Sequence, residues 1–256
     1  MDEKIKKYLA EIEKEKDIEI ILACETGSRA WGFPSPDSDY DVRIIYKHKK
    51  NWYLSLNEEK DSIELMLDNN EIDISGWDLR KSLKLLWKSN PPLLERIQSP
   101  IVYKVNEDFL AEINVLATKM YSKIATMYHY LSMSKKGFEE LENADDFKLK
   151  KFFYALRASV ACKWIVEKKE IPPIYFPKML EELSIDEKLK QRVYQLIELK
   201  ATISEKYMHT GEKELIELIQ NCINEAEIIS KNLPASSGKM TDLNNFFIHE
   251  LNKDDH

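Results

Sequence analysis

The sequence has few of the residues that mark several classes of protein. It holds 3 cysteines in 256 residues, at Cys24, Cys162 and Cys222. An odd number at wide spacing argues against a disulfide framework and against a cysteine-rich zinc site, and indicates buried thiols. Glycine is also scarce, at 6 residues. Scarce glycine favours a largely helical chain and gives each glycine more positional meaning.

Long apolar segments are missing as well. No run approaches the roughly 18 residues that span a membrane, and the charged N-terminus leads into no signal segment. We therefore expect a cytoplasmic protein with no membrane partner. The net charge of -7 does not suggest a general nucleic-acid binder, but it leaves room for a local basic patch. There is no Walker loop, and the 5 histidines show no paired metal spacing.

The hydrophobic pattern changes near residue 105. Before it, short apolar or alternating runs predict strands, and after it helical periods predominate. The predicted strands cover 18–24, 39–46, 62–67 and 71–75. A helix is also predicted from Trp77 to near Ser89 and Asn90, with a short helix from Pro91 through Ile97. The other predicted helices cover 2–16, 107–121, 121–142, 146–169, 177–201 and 212–231, with a break near Asn143 and a last helix capped by Thr241. We therefore predict an α+β fold, in which a small mixed sheet in residues 1–105 is followed by an all-helical domain in residues 106–256.

Two aspartates lie one residue apart in a predicted strand. Asp39 and Asp41 share a face with Arg43, and Glu71 and Asp73 repeat the arrangement in a second strand. Aspartate is a poor strand former, and crowded carboxylates raise one another's pKa and cost stability unless cations lie between them. Oxygen ligands of this kind suit Mg²⁺ or Mn²⁺. If the two strands are neighbours, the pattern predicts a site for divalent ions.

A Gly-Ser turn precedes these aspartates. Gly27 lets the backbone approach a ligand, and Ser28 is suited to cap a short helix that begins at Arg29. The N–H groups of Ser28 and Arg29 can then hold a phosphate. A phosphate-holding turn beside carboxylates that bind two metal ions is the apparatus of phosphoryl or nucleotidyl transfer.

The ordered set resembles the signature of the DNA polymerase β-like nucleotidyltransferase superfamily. It comprises an apolar strand, Gly-Ser, ten residues, Asp-x-Asp in a strand, and a later acid in Ile72-Asp73-Ile74. The resemblance implies a polymerase β-like palm, in which Asp39, Asp41 and Asp73 are the catalytic residues and the ligands of two metal ions. It also implies that Gly27 and Ser28 hold the NTP phosphates.

The residues from Gly27 to Phe33, from Asp37 to Arg43 and from Lys150 to Arg157 are similar to one bacterial family. It is the predicted nucleotidyltransferase family associated with RNA-repair ligases, and the resemblance covers most of the chain, to about residue 185. This resemblance implies the type of reaction more firmly than the identity of the substrate.

Further side chains are candidate nucleotide contacts. Arg29 lies beside the turn, and Arg43 either contacts a phosphate or neutralises the aspartates. Lys150, Tyr154 and Arg157 fall at i, i+4 and i+7 and share a helix face. That face either closes over the base and phosphates or is a solvated stripe.

Two aromatic residues, Trp31 and Phe33, lie between the turn and the aspartates. They either stack on a base or anchor the loop to the core, and anchoring is favoured. Trp77 and Asp78, where a strand becomes a helix, are expected to pack and to cap the helix.

We therefore expect a nucleotidyltransferase that uses two Mg²⁺ or Mn²⁺ ions. It would move a nucleoside monophosphate from an NTP such as ATP to an acceptor hydroxyl or phosphate and release pyrophosphate. An RNA end, such as tRNA or a broken RNA, is the expected acceptor on the family resemblance alone. The alternatives are transfer to a protein or small molecule, as in antitoxin-like or antibiotic-modifying relatives, and a catalytically silent nucleotide- or RNA-binding module. The presence of all three carboxylates argues against a catalytically silent module.

Overall fold

A five-stranded mixed sheet forms in the N-terminal part of the chain. The computed structural model describes residues 1–57, 59–142 and 144–253. The strands are β1 (Ile18–Glu25), β2 (Tyr40–His48), β3 (Ser62–Leu67), β4 (Ile72–Asp78), β5 (Val102–Val105), β6 (Asp146–Lys148) and β7 (Met208–Thr210). The helices are α1 (Asp2–Lys16), α2 (Gly27–Trp31), α3 (Lys50–Leu54), α4 (Leu79–Trp87), α5 (Pro91–Arg96), α6 (Glu107–Met120), α7 (Lys123–Glu139), α8 (Leu149–Glu167), α9 (Phe176–Glu182), α10 (Glu187–Lys200), α11 (Lys213–Ser230) and α12 (Met240–Asn252).

The strand order in the sheet is β3-β4-β2-β1-β5. Strands β2 and β4 pair in parallel, and the other neighbours pair antiparallel. The two strands that carry the predicted carboxylates are therefore neighbours. The α+β class with a small mixed sheet and a helical region is confirmed.

One face of this sheet is buried and the other is more open. Along β4, buried and half-buried residues alternate, as period-two geometry requires. Burying the apolar face stabilises the fold by roughly 1.5–3 kcal/mol for each large side chain. The core on that face includes residues of α1, β2 and β4, namely Ile5, Leu9, Ile12, Val42, Ile44, Ile72 and Ile74. Asp41 and Asp73 therefore project from the opposite, half-buried face.

The chain divides into two compact units that are each discontinuous in sequence. The sheet unit comprises Met1–Gly27, Asp39–Tyr121 and Ser236–His256, and the helical unit comprises Ser28–Ser38 and Ser122–Ala235. These boundaries differ from the predicted ranges 1–105 and 106–256. In the sheet unit, Phe109 of α6 packs against Phe246 of α12, with ring centroids 5.7 Å apart. In the helical unit, the loop residue Phe33 belongs to the core.

Several predicted boundaries need correction. The predicted helix 177–201 is two helices, because Leu183 is extended and the Asp186 carboxylate accepts a hydrogen bond from Lys188 N at 2.8 Å to start α10. Lys239, not Thr241, is the N-cap of α12. Strands β6 and β7 form an antiparallel pair beyond residue 105, where strands were not expected. The predicted break at Asn143 lies outside the described residues.

None of the described helices combines the length and the apolar character that a helix needs to cross a membrane.

Candidate active site

The parallel pairing of β2 and β4 brings two predicted carboxylates together. Asp41 and Asp73 are register partners on the more open face of the sheet. The Nη2 atom of Arg43 donates to Asp41 Oδ1 at 2.6 Å and to Asp73 Oδ2 at 2.8 Å. One guanidinium therefore bridges the two carboxylates, and the predicted crowding of negative charge is offset by a cation of the protein itself.

The observed role of Arg43 is neutralisation. Its Nη1 also donates to the backbone oxygen of Asp73 at 2.9 Å, which fixes the guanidinium against β4. Arg43 was expected to neutralise Asp39 and Asp41, whereas its ion pairs are with Asp41 and Asp73. Contact between Arg43 and a phosphate stays a prediction.

The backbone of Asp41 is held on both sides by the end of β1. The Asp41 N–H donates to Glu25 Oε1 at 2.7 Å, and its carbonyl oxygen accepts from Thr26 N at 2.9 Å and Thr26 Oγ1 at 3.2 Å. The Glu25 side chain is fully buried and its Oε2 accepts from Tyr103 Oη at 2.5 Å. Burial, together with this hydrogen bond to Glu25, raises the pKa of Tyr103, so the phenol stays protonated.

Gly27 leaves room for the Asp41 carboxylate. A Cβ atom at this glycine would lie 2.0 Å from Asp41 Oδ2, and the glycine has φ of +60°. Both the space and the backbone conformation therefore require glycine. Sequence reasoning placed a ligand beside this glycine, whereas the structure places the side chain of Asp41 there.

Asp39 and Glu71 lie just before the two paired strands. Asp39 is half-buried, and the N–H of the next residue, Tyr40, donates to the Glu71 carbonyl oxygen at 2.9 Å. This bond sets the register that continues into Asp41 and Asp73. The backbone thus brings the ends of both strands together.

A second acidic group lies elsewhere in the sheet unit. Among the described residues, the group of three candidate ligands whose ligand atoms lie within 4.8 Å of one another consists of Glu112, His249 and Glu250. Lys253 forms ion pairs with both glutamates of that group. Asp39, Asp41 and Asp73 do not form such a group here, and the Arg43 guanidinium occupies the position between two of them.

A buried cation, Arg96, supports the sheet close to these residues. Its guanidinium lies over the Trp77 ring, 3.4 Å from the centroid, and donates to the Ile44 carbonyl oxygen at 3.2 Å. Burial lowers the pKa of Arg96. Nothing in the local pattern around Arg96 indicates this position.

The strand-to-helix junction after β4 behaves as predicted. The Asp78 carboxylate accepts from Lys81 N at 2.8 Å and Arg80 N at 3.1 Å and so caps α4. Trp77 packs against the buried arginine described above.

The loop 28–38 is ordered by its own polar side chains within the helical unit. Ser28 lies inside α2 rather than capping it, and its hydroxyl donates to Ser38 Oγ at 3.1 Å. The Nη2 atom of Arg29 donates to the Ser38 carbonyl oxygen at 2.6 Å. The Ser28 hydroxyl and the Arg29 guanidinium therefore have partners within the loop, while phosphate binding by the backbone N–H groups of Ser28 and Arg29 stays a prediction.

Lysines and Glu205 hold the far end of this loop. Ser38 Oγ donates to Glu205 Oε1 at 2.9 Å, and Lys150 Nζ donates to Glu205 Oε2 at 2.6 Å. Lys200 is buried and its Nζ donates to Ser35 Oγ at 2.9 Å. Burial lowers the pKa of Lys200. Sequence reasoning missed both Glu205 and Lys200, because no local pattern relates residues so distant in the chain.

Aromatic contacts anchor the loop, as favoured from the sequence. Phe33 is fully buried and stacks on Phe153 with centroids 4.8 Å apart. The edge of Trp31 meets Tyr154 at 5.2 Å, and the Arg157 guanidinium lies 4.4 Å from the Trp31 centroid. Arg157 is only 3% exposed. Tyr154 and Arg157 thus contact the loop together, while nucleotide binding by Lys150, Tyr154 and Arg157 stays a prediction.

Comparison with known proteins identifies the family. The family model described as RlaP, the RNA repair pathway DNA polymerase beta family, matches residues 1–249. The uncharacterized protein YcgL of Bacillus subtilis (strain 168) is 38% identical over 252 residues, which cover 98% of this chain and 96% of that protein. A solved nucleotidyltransferase-like protein from Exiguobacterium sibiricum 255-15 aligns with a TM-score of 0.34 and 11% identity, over 89% of this chain and 74% of that chain.

The family match confirms the predicted resemblance and agrees with the order of motifs along the chain. The chain belongs to the RNA repair pathway DNA polymerase beta family.

Proposed function

We propose that the protein is a metal-dependent nucleotidyltransferase. It moves a nucleoside monophosphate from an NTP to an acceptor hydroxyl or phosphate and releases pyrophosphate. The observation that carries this proposal is the register pairing of Asp41 with Asp73, whose carboxylates converge on one cationic group. Membership of a DNA polymerase beta family supports it.

The donor set around this pair fits Mg²⁺ or Mn²⁺. Its ligand atoms are carboxylate oxygens, and two of them already lie within 2.8 Å of a single positively charged nitrogen, Arg43 Nη2. In the proposal, Asp39, Asp41 and Asp73 hold two ions. These ions would stabilise the negative charge of the transferred phosphoryl group and of pyrophosphate.

The other residues bind and orient the substrates in this proposal. The turn at Gly27 and Ser28 holds the β- and γ-phosphates through the backbone N–H groups of Ser28 and Arg29. Arg29 adds a cation beside the turn. Asp73 accepts the proton of the acceptor hydroxyl.

Two lysine or arginine side chains of α8, one tyrosine ring and Arg43 complete the proposed nucleotide contacts. Lys150 and Arg157 contribute positive charge, and Tyr154 contributes a ring for the base. With Asp41 and Asp73 engaged by a metal ion, the Arg43 guanidinium would be available to contact a phosphate.

Asp41→Asn should abolish the reaction, because it removes an ionised ligand and leaves the shape almost unchanged. Incubation with Mg²⁺, each labelled NTP and total RNA should show transfer by the wild type and a loss of about 100-fold or more in the variant. Glu64→Gln is the matched control, since Glu64 is an exposed acid on the neighbouring strand β3. Equal transfer by the wild type and Asp41→Asn would contradict the proposal.

The same incubation identifies the acceptor. Label on RNA supports an RNA end, which the family description favours. Label on protein alone or on a small molecule would favour an antitoxin-like or antibiotic-modifying activity. Metal-dependent NTP binding without transfer to any acceptor would indicate a silent binding module.

A further inference from the structure

The helical unit contains a cavity of about 680 Å³. All of its lining residues belong to that unit. Five of them are lysines, on α7, β6, α8 and the segment that follows α10, namely Lys136, Lys148, Lys150, Lys151 and Lys206. This concentration of positive charge contrasts with the net charge of -7 of the whole chain.

The acidic groups of the cavity are already engaged. Glu205 pairs with Lys150 at 2.6 Å and Glu140 pairs with Lys151 at 2.5 Å. The remaining acid, Asp37, accepts a hydrogen bond from the Glu205 N–H at 2.9 Å. These contacts offset the charge of two of the five lysines.

The other three lysines have no ion-pair partner in the lining, and the lysines of the lining outnumber its acids by two when Asp37 is included. Lys136, Lys148 and Lys206 are exposed at the rim, and within the described ranges no salt bridge joins them to a carboxylate. We call these three residues the rim lysines. Because they lie on three separate elements, their charge is not confined to one helix face.

The N-terminus of α8 adds to the positive electrostatic potential that the lysines create in the cavity. Its first turn contains no acidic residue, and its N-cap, Lys148, provides no side-chain hydrogen bond. Cations at the positive end of a helix dipole are unfavourable on their own. An anion bound between the rim lysines would reduce the repulsion between the lysines and the positive end of the helix dipole. It would also reduce the repulsion among the lysines themselves.

The floor of the cavity is apolar and aromatic. Helices α7 and α8 approach closely there, since a Cβ atom at Gly137 would lie 2.7 Å from Ala155 Cβ. Met133 and Tyr154 complete this part of the lining. A flat base could rest against Met133 and Ala155, beside the Tyr154 ring that is proposed to bind the base of the NTP.

We propose that this cavity binds the acceptor as single-stranded RNA, with a terminal base against Met133 and Ala155 and the phosphodiester backbone along the rim lysines, while Tyr154 binds the base of the NTP. A groove that offers unpaired lysines to the backbone and a non-polar surface to a base suits single-stranded nucleic acid. The proposal rests on the proposed function for its role as the acceptor site. The binding itself does not depend on catalysis.

The test is binding of a fluorescent single-stranded RNA oligonucleotide, measured by anisotropy over a range of salt concentrations. The triple variant Lys136→Gln, Lys148→Gln, Lys206→Gln should bind about tenfold or more weakly. Its plot of log K against log[salt] should be shallower by about 2, since each lost phosphate contact lowers the slope by about 0.7. The matched control replaces three exposed lysines of the same unit outside the cavity, Lys178, Lys188 and Lys231.

Three outcomes would overturn the proposal. One is equal RNA binding by the triple variant and the control. Another is loss of Mg²⁺-ATP binding by the triple variant with RNA binding unchanged, which would make the cavity a site for the free nucleotide. The third is binding of poly-glutamate as tightly as RNA, which would indicate an acidic protein partner.

Asp41→Asn separates this proposal from the proposed function. It should bind RNA as tightly as the wild type while losing transfer. If no NTP supports transfer by the wild type, but RNA binding still depends on the rim lysines, the proposed function fails and the binding site stands.

Discussion

At the scale of single residues, Asp41 is held by its neighbours on β1 and in the turn. Glu25 and Thr26 bind its backbone N–H and carbonyl groups, and Gly27 leaves space for its carboxylate. The position of the carboxylate is therefore set by the fold and does not depend on a flexible side chain. Such preorganisation of charged groups is what electrostatic catalysis requires.

Gly27→Ala should disrupt this arrangement. The new Cβ would lie 2.0 Å from Asp41 Oδ2, in a backbone conformation that alanine rarely adopts. We expect a loss of about 1–3 kcal/mol in the free energy of unfolding from the conformation alone, and a loss of transfer activity from the displaced carboxylate. Urea unfolding and the transfer assay measure the two effects.

Gly211→Ala is the matched control for backbone strain. Gly211 has φ of +91°, and a Cβ atom there would meet nothing within 4 Å. This variant should lose stability but keep activity. Full activity of Gly27→Ala would contradict the steric argument.

The sequence was informative about some residues of the site and silent about others. Asp41 and Asp73 were predictable because carboxylates are unfavourable in strands, so their pattern indicated a site. Glu25 was not predictable as a site residue, because a single acid at the end of an apolar strand is usually only the residue that ends the strand. Glu205 and Lys200 act across long stretches of chain that a local pattern cannot connect.

At the scale of elements, long periodic segments were predictable. The helix predicted over 2–16 and the strand predicted over 62–67 match α1 and β3. The helix α3 and the short strands β5, β6 and β7 were not predicted, because three to five residues carry too little periodicity. The helix predicted over 177–201 is interrupted at the extended residue Leu183 and starts again at the Asp186 cap, a break that the hydrophobic period alone does not show.

The junction of β2 and α3 should respond to pH through His48. Its ring stacks on Trp52 with centroids 4.0 Å apart. Burial lowers its pKa below the ordinary value of 6.5, although Asp78, Glu59 and Asp17 act in the opposite direction. The folded state then binds fewer protons than the unfolded state just below pH 6.5, so stability should fall as pH falls through that range.

His48→Gln should reduce this pH dependence. The free energy of unfolding, measured in urea at pH 7.5 and pH 5.5, should fall less in the variant than in the wild type. His249→Gln changes an exposed histidine of α12 and serves as the control. An identical fall in the wild type and His48→Gln would exclude His48 as the cause.

At the scale of the whole molecule, the two discontinuous units were not predictable. Periodicity shows which face of a segment is apolar, but not which core that face joins. Phe33 lies only six residues before Asp39 in the chain, yet it is buried in the helical unit. The change of pattern near residue 105 therefore marked the end of the sheet strands and not the limit of a compact unit.

The helical unit should need the loop 28–38 for its stability. A protein of residues 122–235 alone lacks Phe33, whereas one with 28–38 joined to its N-terminus by a Gly-Ser linker can fill that part of the core. We expect the joined form to be more stable in urea. Phe33→Ala should cost it about 3–5 kcal/mol, as for other buried phenylalanines.

The unjoined fragment is the reference for this experiment. Far-ultraviolet circular dichroism during urea unfolding reports on the helices of both forms. Equal unfolding midpoints with and without the loop would show that Phe33 adds nothing to this core.

The interleaved path of the chain also bears on how such a protein can evolve. A recombination event after residue 38, 121 or 235 would join one parent's loop 28–38 or C-terminal helix to the other parent's core. The descendant would inherit mismatched packing at Phe33 or at the Phe109–Phe246 contact. The sheet and helical units are therefore expected to pass between genomes as a single block, and hybrid descendants with exchanged halves should be rare.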